Sequence, residues 1–189
     1  MPVVGSDRSA VVPCELANSW LIPHISSVSI RPDANICISV RNPLSDYEVR
    51  EKVAFNLQET VEQDEGSREP DHHFALSWEG SKKRSTLIVL DEAATKTALK
   101  KKKFKDQFSY LSYKSEHNGN FAPVLAFECR GLEPYAFHCL GGDQFIVESE
   151  GAVKFESDVD LSDGDWAEYD EENDASVSID KFETKIEGL

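Results

Sequence analysis

The sequence predicts an all-β fold: a single domain of two packed, mostly antiparallel sheets, β-sandwich-like, with little helix. Three observations carry this. Short apolar runs bounded by turn residues outnumber stretches with helical periodicity. Several of the runs alternate, so that Ile36, Ile38 and Val40 in "ICISV" share one face, as do Val53, Phe55 and Leu57 in "VAFNL". A chain of 189 residues, 40% hydrophobic and 29% charged, has the composition of one globular domain with its own core.

The strands follow in order. Residues 1–24 are expected to be partly loose, because the first fifteen or so show no sustained period. Strand-like runs then occupy Val28–Pro32, Asn35–Asn42, Glu48–Val61, His72–Gly80 and Ser85–Glu92. Next comes "DEAATKTALKKKKFKDQF", whose Ala94, Ala98 and Leu99 make too small a stripe for a helix to be assigned. Its lysines read as a mobile basic insert over residues 96–118. Strands resume at Phe121–Gly131, Gln144–Gly151 and Ala152–Ser157, within a β domain spanning 25–180, and residues 181–189 read as a tail.

Charge narrows the function classes. The formal net charge of −15 argues against binding nucleic acid or an anionic membrane, so no nucleic-acid or membrane partner is expected. The charge is segregated: residues 143–189 hold sixteen acids and three lysines, whereas residues 82–105 hold nine basic residues and two acids. Such runs are ordinarily solvated faces, but they also suit docking of protein partners. The partner-facing candidates are Lys100, Lys101, Lys102 and Lys103 on the basic side and Asp163, Asp165, Trp166 and Tyr169 on the acidic side. Trp166 and Tyr169 read either as apolar anchors of an acidic loop or as an exposed aromatic hot spot. No apolar run reaches eighteen residues and the N-terminus lacks signal-peptide character; a cytoplasmic location is expected, with the nucleus also open.

Chemistry-bearing motifs are sparse. No P-loop, dinucleotide-binding, nucleophile-elbow or HExxH pattern occurs, so no enzyme is expected. The cysteines, Cys14, Cys37, Cys129 and Cys139, form no CxxC pair and read as small buried hydrophobes with free thiols. Residual metal ligands would have to come from Cys129, Cys139, His138, His72 and His73. His138 and Cys139 are adjacent on a presumed strand and so are expected on opposite faces. Cys129 and Cys139 meet only if the chain folds back through the Gly131–Pro134 turn, across which Glu133 is expected to pair with Arg130.

"FECRGLEP" (Phe127–Pro134), followed by "ESEGAVKFESDVDLSDGDWAEYDEENDASVSI", resembles the C-terminal half of the small eukaryotic CXXC-motif-containing zinc-binding proteins. "SIRP" (Ser29–Pro32), "SDYEVREKVAFNL" and "KKRSTLIVL" extend the likeness upstream. The resemblance implies a compact all-β protein whose zinc is held by two CxxC pairs. At the two matching places this chain instead reads Arg41-Asn42-Pro43-Leu44 and Ser77-Trp78-Glu79-Gly80. Arg41, Leu44, Ser77 and Gly80 offer no tetrahedral N/S ligand set, so zinc, expected from the family, is not expected here. Leu44 and Trp78 are then expected to fill that end of the fold with apolar contacts.

The resulting expectation is a non-catalytic, metal-free family member that acts through protein–protein contacts, as a monomer or weak oligomer. The alternatives are a metal-handling protein using the residual Cys and His and, behind it, an enzyme with a pocket between the sheets.

Overall fold

The computed structural model describes residues 10–18, 24–62, 70–99, 111–117 and 119–186. The described strands are β1 (Ala10–Asn18), β2 (Ile25–Ile30), β3 (Asn35–Asn42), β4 (Ser45–Asn56), β5 (Phe74–Leu76), β6 (Ser85–Val89) and β7 (Tyr113–Lys114). They continue with β8 (Ala122–Arg130), β9 (Glu133–His138), β10 (Phe145–Ser149), β11 (Lys154–Phe155), β12 (Trp166–Asp170), β13 (Ala175–Ile179) and β14 (Phe182–Ile186). A single α-helix, α1 (Glu92–Leu99), and one short 3-10 turn (Ser115–His117) are the helical elements among the described residues. The fold is all-β, as expected. Among the described residues the ladders form β14-β1-β8-β6-β5, β11-β10-β2-β7, β4-β3-β9 and the hairpin β12-β13, all antiparallel.

One apolar core joins the three larger sheets and the hairpin. The inward residues of "ICISV" are correct: Ile36, Ile38 and Val40 are fully buried. Alternation understated this strand, however, because Cys37 and Ser39 on its other face are buried too. A central strand covered on both sides cannot be distinguished by period from a half-exposed one when its second face carries small residues. β8 shows the same double burial, and there the near-continuous apolar run "APVLAF" does signal it.

The expected loose ends contain strands. β1 lies between β14 and β8, so the two chain ends pair with each other inside the five-stranded sheet. Its Pro13 can be accommodated there because pairing with β14 begins only at Cys14↔Ile186, leaving Pro13 one neighbour, β8. Residues 1–9, 19–23 and 187–189 lie outside the described residues.

α1 corrects the reading of the lysine-rich stretch. Asp91 caps it: its Oδ1 accepts the Ala94 N–H at 2.7 Å and its carbonyl accepts the Thr95 N–H at 2.8 Å. The small stripe suffices because the helix is only eight residues long and starts from a good cap. Lys100, Lys101, Lys102 and Lys103 lie outside the described residues.

Candidate functional site

The resemblance directs attention to two loops. The first is the tip of the β3–β4 hairpin, where Asn42 Oδ1 accepts the Leu44 N–H at 3.0 Å and so turns the chain. The second leads from β5 to β6, where the Ser81 N–H closes on the Trp78 carbonyl at 3.1 Å. Glu48, on β4, spans them: its Oε2 accepts from the Asn42 side-chain amide and its Oε1 accepts the Glu79 N–H at 3.2 Å. Two residues further along β4, the Arg50 guanidinium lies 5.5 Å from the centre of the Trp78 ring. A carboxylate and a cation on one strand thus clip together loops more than thirty residues apart.

Trp78 is 4% exposed and donates its Nε1–H to the Gly131 carbonyl at 2.7 Å, an oxygen that also accepts the Ser85 hydroxyl at 2.7 Å. Gly131 has φ +67°, and a Cβ there would meet Ser85 Oγ at 2.7 Å. This explains the Arg-Gly-Leu part of "FECRGLEP": the glycine lets the chain pass from β8 in one sheet to β9 in another while its carbonyl is clasped from two sides. Replacing Glu48 by Ala is expected to cost about 1–2 kcal/mol, the value of two bonds to a partly buried carboxylate; urea denaturation checks it.

The four positions that the resemblance assigns to zinc ligands do not fit a zinc ion. Arg41 makes a two-pronged ion pair with Glu133, at 2.7 and 3.1 Å. Leu44 is 85% exposed, Ser77 is exposed, and Gly80 has no side chain. A structural zinc needs four thiolate or imidazole donors, and these residues supply none. The expectation that Leu44 fills this end is overturned by its exposure; Trp78 alone does so. Glu133 also corrects the expected turn pairing: it bonds Arg41 across β3–β9, and Arg130 pairs with Glu128 at 3.1 Å.

The residual ligands do not assemble either. Among the described residues no three His, Cys, Asp or Glu side chains converge to hold a metal. Cys129 is buried in β8, where burial first and then the charges of Glu128 and Glu133 push its thiol far up. Since β8 and β9 belong to different sheets, the chain does not fold back to bring Cys139 onto Cys129. His73 accepts the Val89 N–H on Nδ1 at 3.1 Å, and burial lowers its pKa; its neighbour His72 is buried beside it. His138 and Cys139, expected on opposite faces, line one cleft, because β9 ends at His138 and the alternation ends with it. Burial, with Asp160 nearby, raises the Cys139 thiol to about 11, so it is a neutral thiol rather than a nucleophile.

The acidic hairpin is tied to its surroundings by side-chain contacts. Trp166 packs half-buried, edge-on to Phe155 at 5.4 Å. Tyr169 is 46% exposed and gives its hydroxyl hydrogen to Asp174. Asp163 and Asp165 are exposed, and Asp165 Oδ1 accepts the Lys181 N–H at 2.8 Å. Asp170 is buried and gathers donors from Ser149 Oγ at 2.7 Å and from the Asn173 side chain at 2.9 and 3.0 Å. Asn173 lies over Gly151, where a Cβ would sit 2.0 Å from its Nδ2. Ser149 of "ESEG" and Asp170 of "YDEEN" therefore form a buried polar pair that the more exposed Asn173 completes. Sequence reasoning missed Glu48, Arg50 and this cluster; charged residues two apart on the strand leaving the first loop were the available signal for the former pair.

These features define a class: an all-β protein of packed antiparallel sheets with two loops clipped together at one end. The chain belongs to the eukaryotic family of CXXC motif containing zinc binding proteins, whose model matches residues 16–187. It is 42% identical over 67 residues to the Homo sapiens CXXC motif containing zinc binding protein, covering 35% of this chain and 41% of that one. It is 41% identical over 78 residues to the UPF0587 protein CG4646 of Drosophila melanogaster, covering 41% of this chain and 47% of the relative. The matched segments thus span less than half of either relative. Among solved structures, a hypothetical protein from Plasmodium falciparum superposes with a TM-score of 0.74 at 22% identity, covering 94% of this chain and 99% of that one. The crystal structure of C1orf123 gives 0.73 at 19% identity, covering 95% and 99%. The structural likeness establishes the shared fold.

Proposed function

We propose that this chain is a non-catalytic, metal-free member of its family that acts through protein–protein contacts, with the clipped loops as its contact surface. One observation carries this. At the hairpin tip, where the resemblance would place metal ligands, Leu44 is 85% and Tyr47 94% exposed, with Val49 also exposed on β4. Large apolar side chains held out into water on an ordered hairpin are a mark of a binding surface. The occupant is an acidic protein segment. Residues 41–50 and 77–84 together with Glu133, the ion-pair partner of Arg41, carry five cations (Arg41, Arg50, Lys82, Lys83, Arg84) and four anions (Asp46, Glu48, Glu79, Glu133), a net +1, against −16 for the rest of the chain. A basic end on an acidic molecule selects against basic partners and orients acidic ones.

The test joins metal content with capture. Tag-free protein purified without chelator is expected to hold less than about 0.1 zinc per chain by mass spectrometry, because the ligand set is missing. Acidic proteins captured by the wild type are expected to be lost with Leu44→Asp/Tyr47→Asp, at unchanged melting temperature, and to be released by salt. One equivalent of zinc, or capture indifferent to the double substitution, would overturn the reading.

A further inference from the structure

Away from the clipped loops, a cleft of about 410 Å³ opens between β4, β9, β14 and the loop from β11 to β12. Its walls are opposite in charge. Lys52 and His138 belong to the sheet side and Ser162 and Asp163 to the loop side, while Phe137, almost wholly buried, and Phe182 also border the cleft. Among the described residues neither the Lys52 ammonium nor the Asp163 carboxylate takes part in an ion pair. Two opposite charges that face one cleft without joining each other leave room for a ligand that satisfies both.

The backbone is specialised to put Lys52 there. It has φ +51°, a conformation uncommon for any residue with a side chain, and it sits in a bulge where the β3–β4 register jumps from Ile38↔Val53 to Val40↔Arg50. Bulges of this kind re-aim a side chain. The same bulge sets the histidine. The Lys52 N–H donates to Ser39 Oγ at 3.2 Å, and Ser39 Oγ lies 2.7 Å from His138 Nε2. Ser39 is buried, so its hydroxyl holds the imidazole and the Lys52 backbone to one point beside the cleft.

We propose that this cleft binds a small zwitterion: a molecule with a carboxylate for Lys52 and the His138 imidazole, and an ammonium for Asp163 and the Ser162 hydroxyl. A simple anion would face Asp163, and a simple cation would face Lys52; a ligand carrying both charges avoids either repulsion. The chemical class is that of amino acids, with the separation of the two charges left to the test's arms.

Titration of the 15N-labelled full chain with L-phenylalanine and with 6-aminohexanoate distinguishes adjacent from separated charges. Saturable shifts at His138, Asp163 and Gly164 are expected with one of the two at millimolar concentration or below. 3-Phenylpropionate and phenethylamine, each lacking one charge, are expected to bind about tenfold or more weakly, as are the ligands to Lys52→Gln and Asp163→Asn, since each loses a charge-assisted bond. Both variants change exposed side chains and are expected to keep the wild-type melting temperature. Failure of both zwitterions to shift these signals, shifts confined elsewhere, or binding unchanged in the single-charge analogues or in the variants would each overturn the proposal.

Discussion

Trp78→Ala is expected to lower the stability of this protein by about 3–5 kcal/mol, the usual cost of emptying a buried aromatic site. Leu44→Ala, at a position 85% exposed, is expected to stay within about ±0.5 kcal/mol of wild type. The contrast matters because a structural zinc contributes folding free energy outright, and the metal-free reading requires other contacts to hold this end of the fold. Trp78 fills the space behind the loops, and its indole N–H holds the Gly131 carbonyl at the crossing between two sheets. Trp78→Phe separates the two roles: most of the apolar area stays, and only the hydrogen bond is lost, for about 1 kcal/mol. Urea unfolding monitored by far-UV circular dichroism measures all three. An unchanged midpoint in Trp78→Ala would show that this end is not held by Trp78.

The second large effect belongs to Asp170. Asp170→Ala is expected to drop the urea midpoint well beyond either Glu171→Ala or Glu172→Ala, though all three lie in one acidic run. Asp170 is 1% exposed and accepts from Ser149, from the Asn173 side chain and from the backbone N–H groups of Glu172 and Asn173. Removing the carboxylate leaves the buried Ser149 hydroxyl and the Asn173 amide without an acceptor at once. The same geometry predicts a pH dependence. Burial alone would raise the Asp170 carboxyl, but the bonds from Ser149, Asn173 and Glu172 outweigh it and hold the group below its ordinary value of 3.8. A lowered folded-state pKa means that the unfolded chain binds the proton more readily. The stabilisation is therefore complete above that ordinary value and is lost as pH falls through the folded-state value. Melting curves of wild type and Asp170→Asn between neutral pH and pH 3 are expected to converge toward the acid end; parallel curves would remove Asp170 as the source.

Legibility differed from element to element, for reasons that particular residues make plain. β3 was located from Asn35 to Asn42 because alternation along a strand is a local property: every second side chain meets the same environment. The burial of Cys129 before the Gly131 turn was legible for a similar reason, an apolar run ending at a residue suited to a left-handed turn. β1 and β14 were not. Their pairing joins Cys14 to Ile186 across nearly the whole chain, and neither partner carries a signal until the other is beside it. α1 escaped because one capping aspartate did what a hydrophobic stripe would ordinarily do.

The candidate site divides along the same line. The sequence by itself determined the fold class, the family and the absence of cysteines at the two loops, because residue identity alone decides whether a donor can exist. Only the tertiary structure decided what those loops do instead. It placed Leu44 in water and Trp78 in the core, made Glu48 the bridge, and gathered His138 and Asp163 around one cleft with Lys52. Those outcomes depend on which distant segments come within hydrogen-bonding reach, and that reach is set by sheet pairing over the whole chain rather than by any local run of residues.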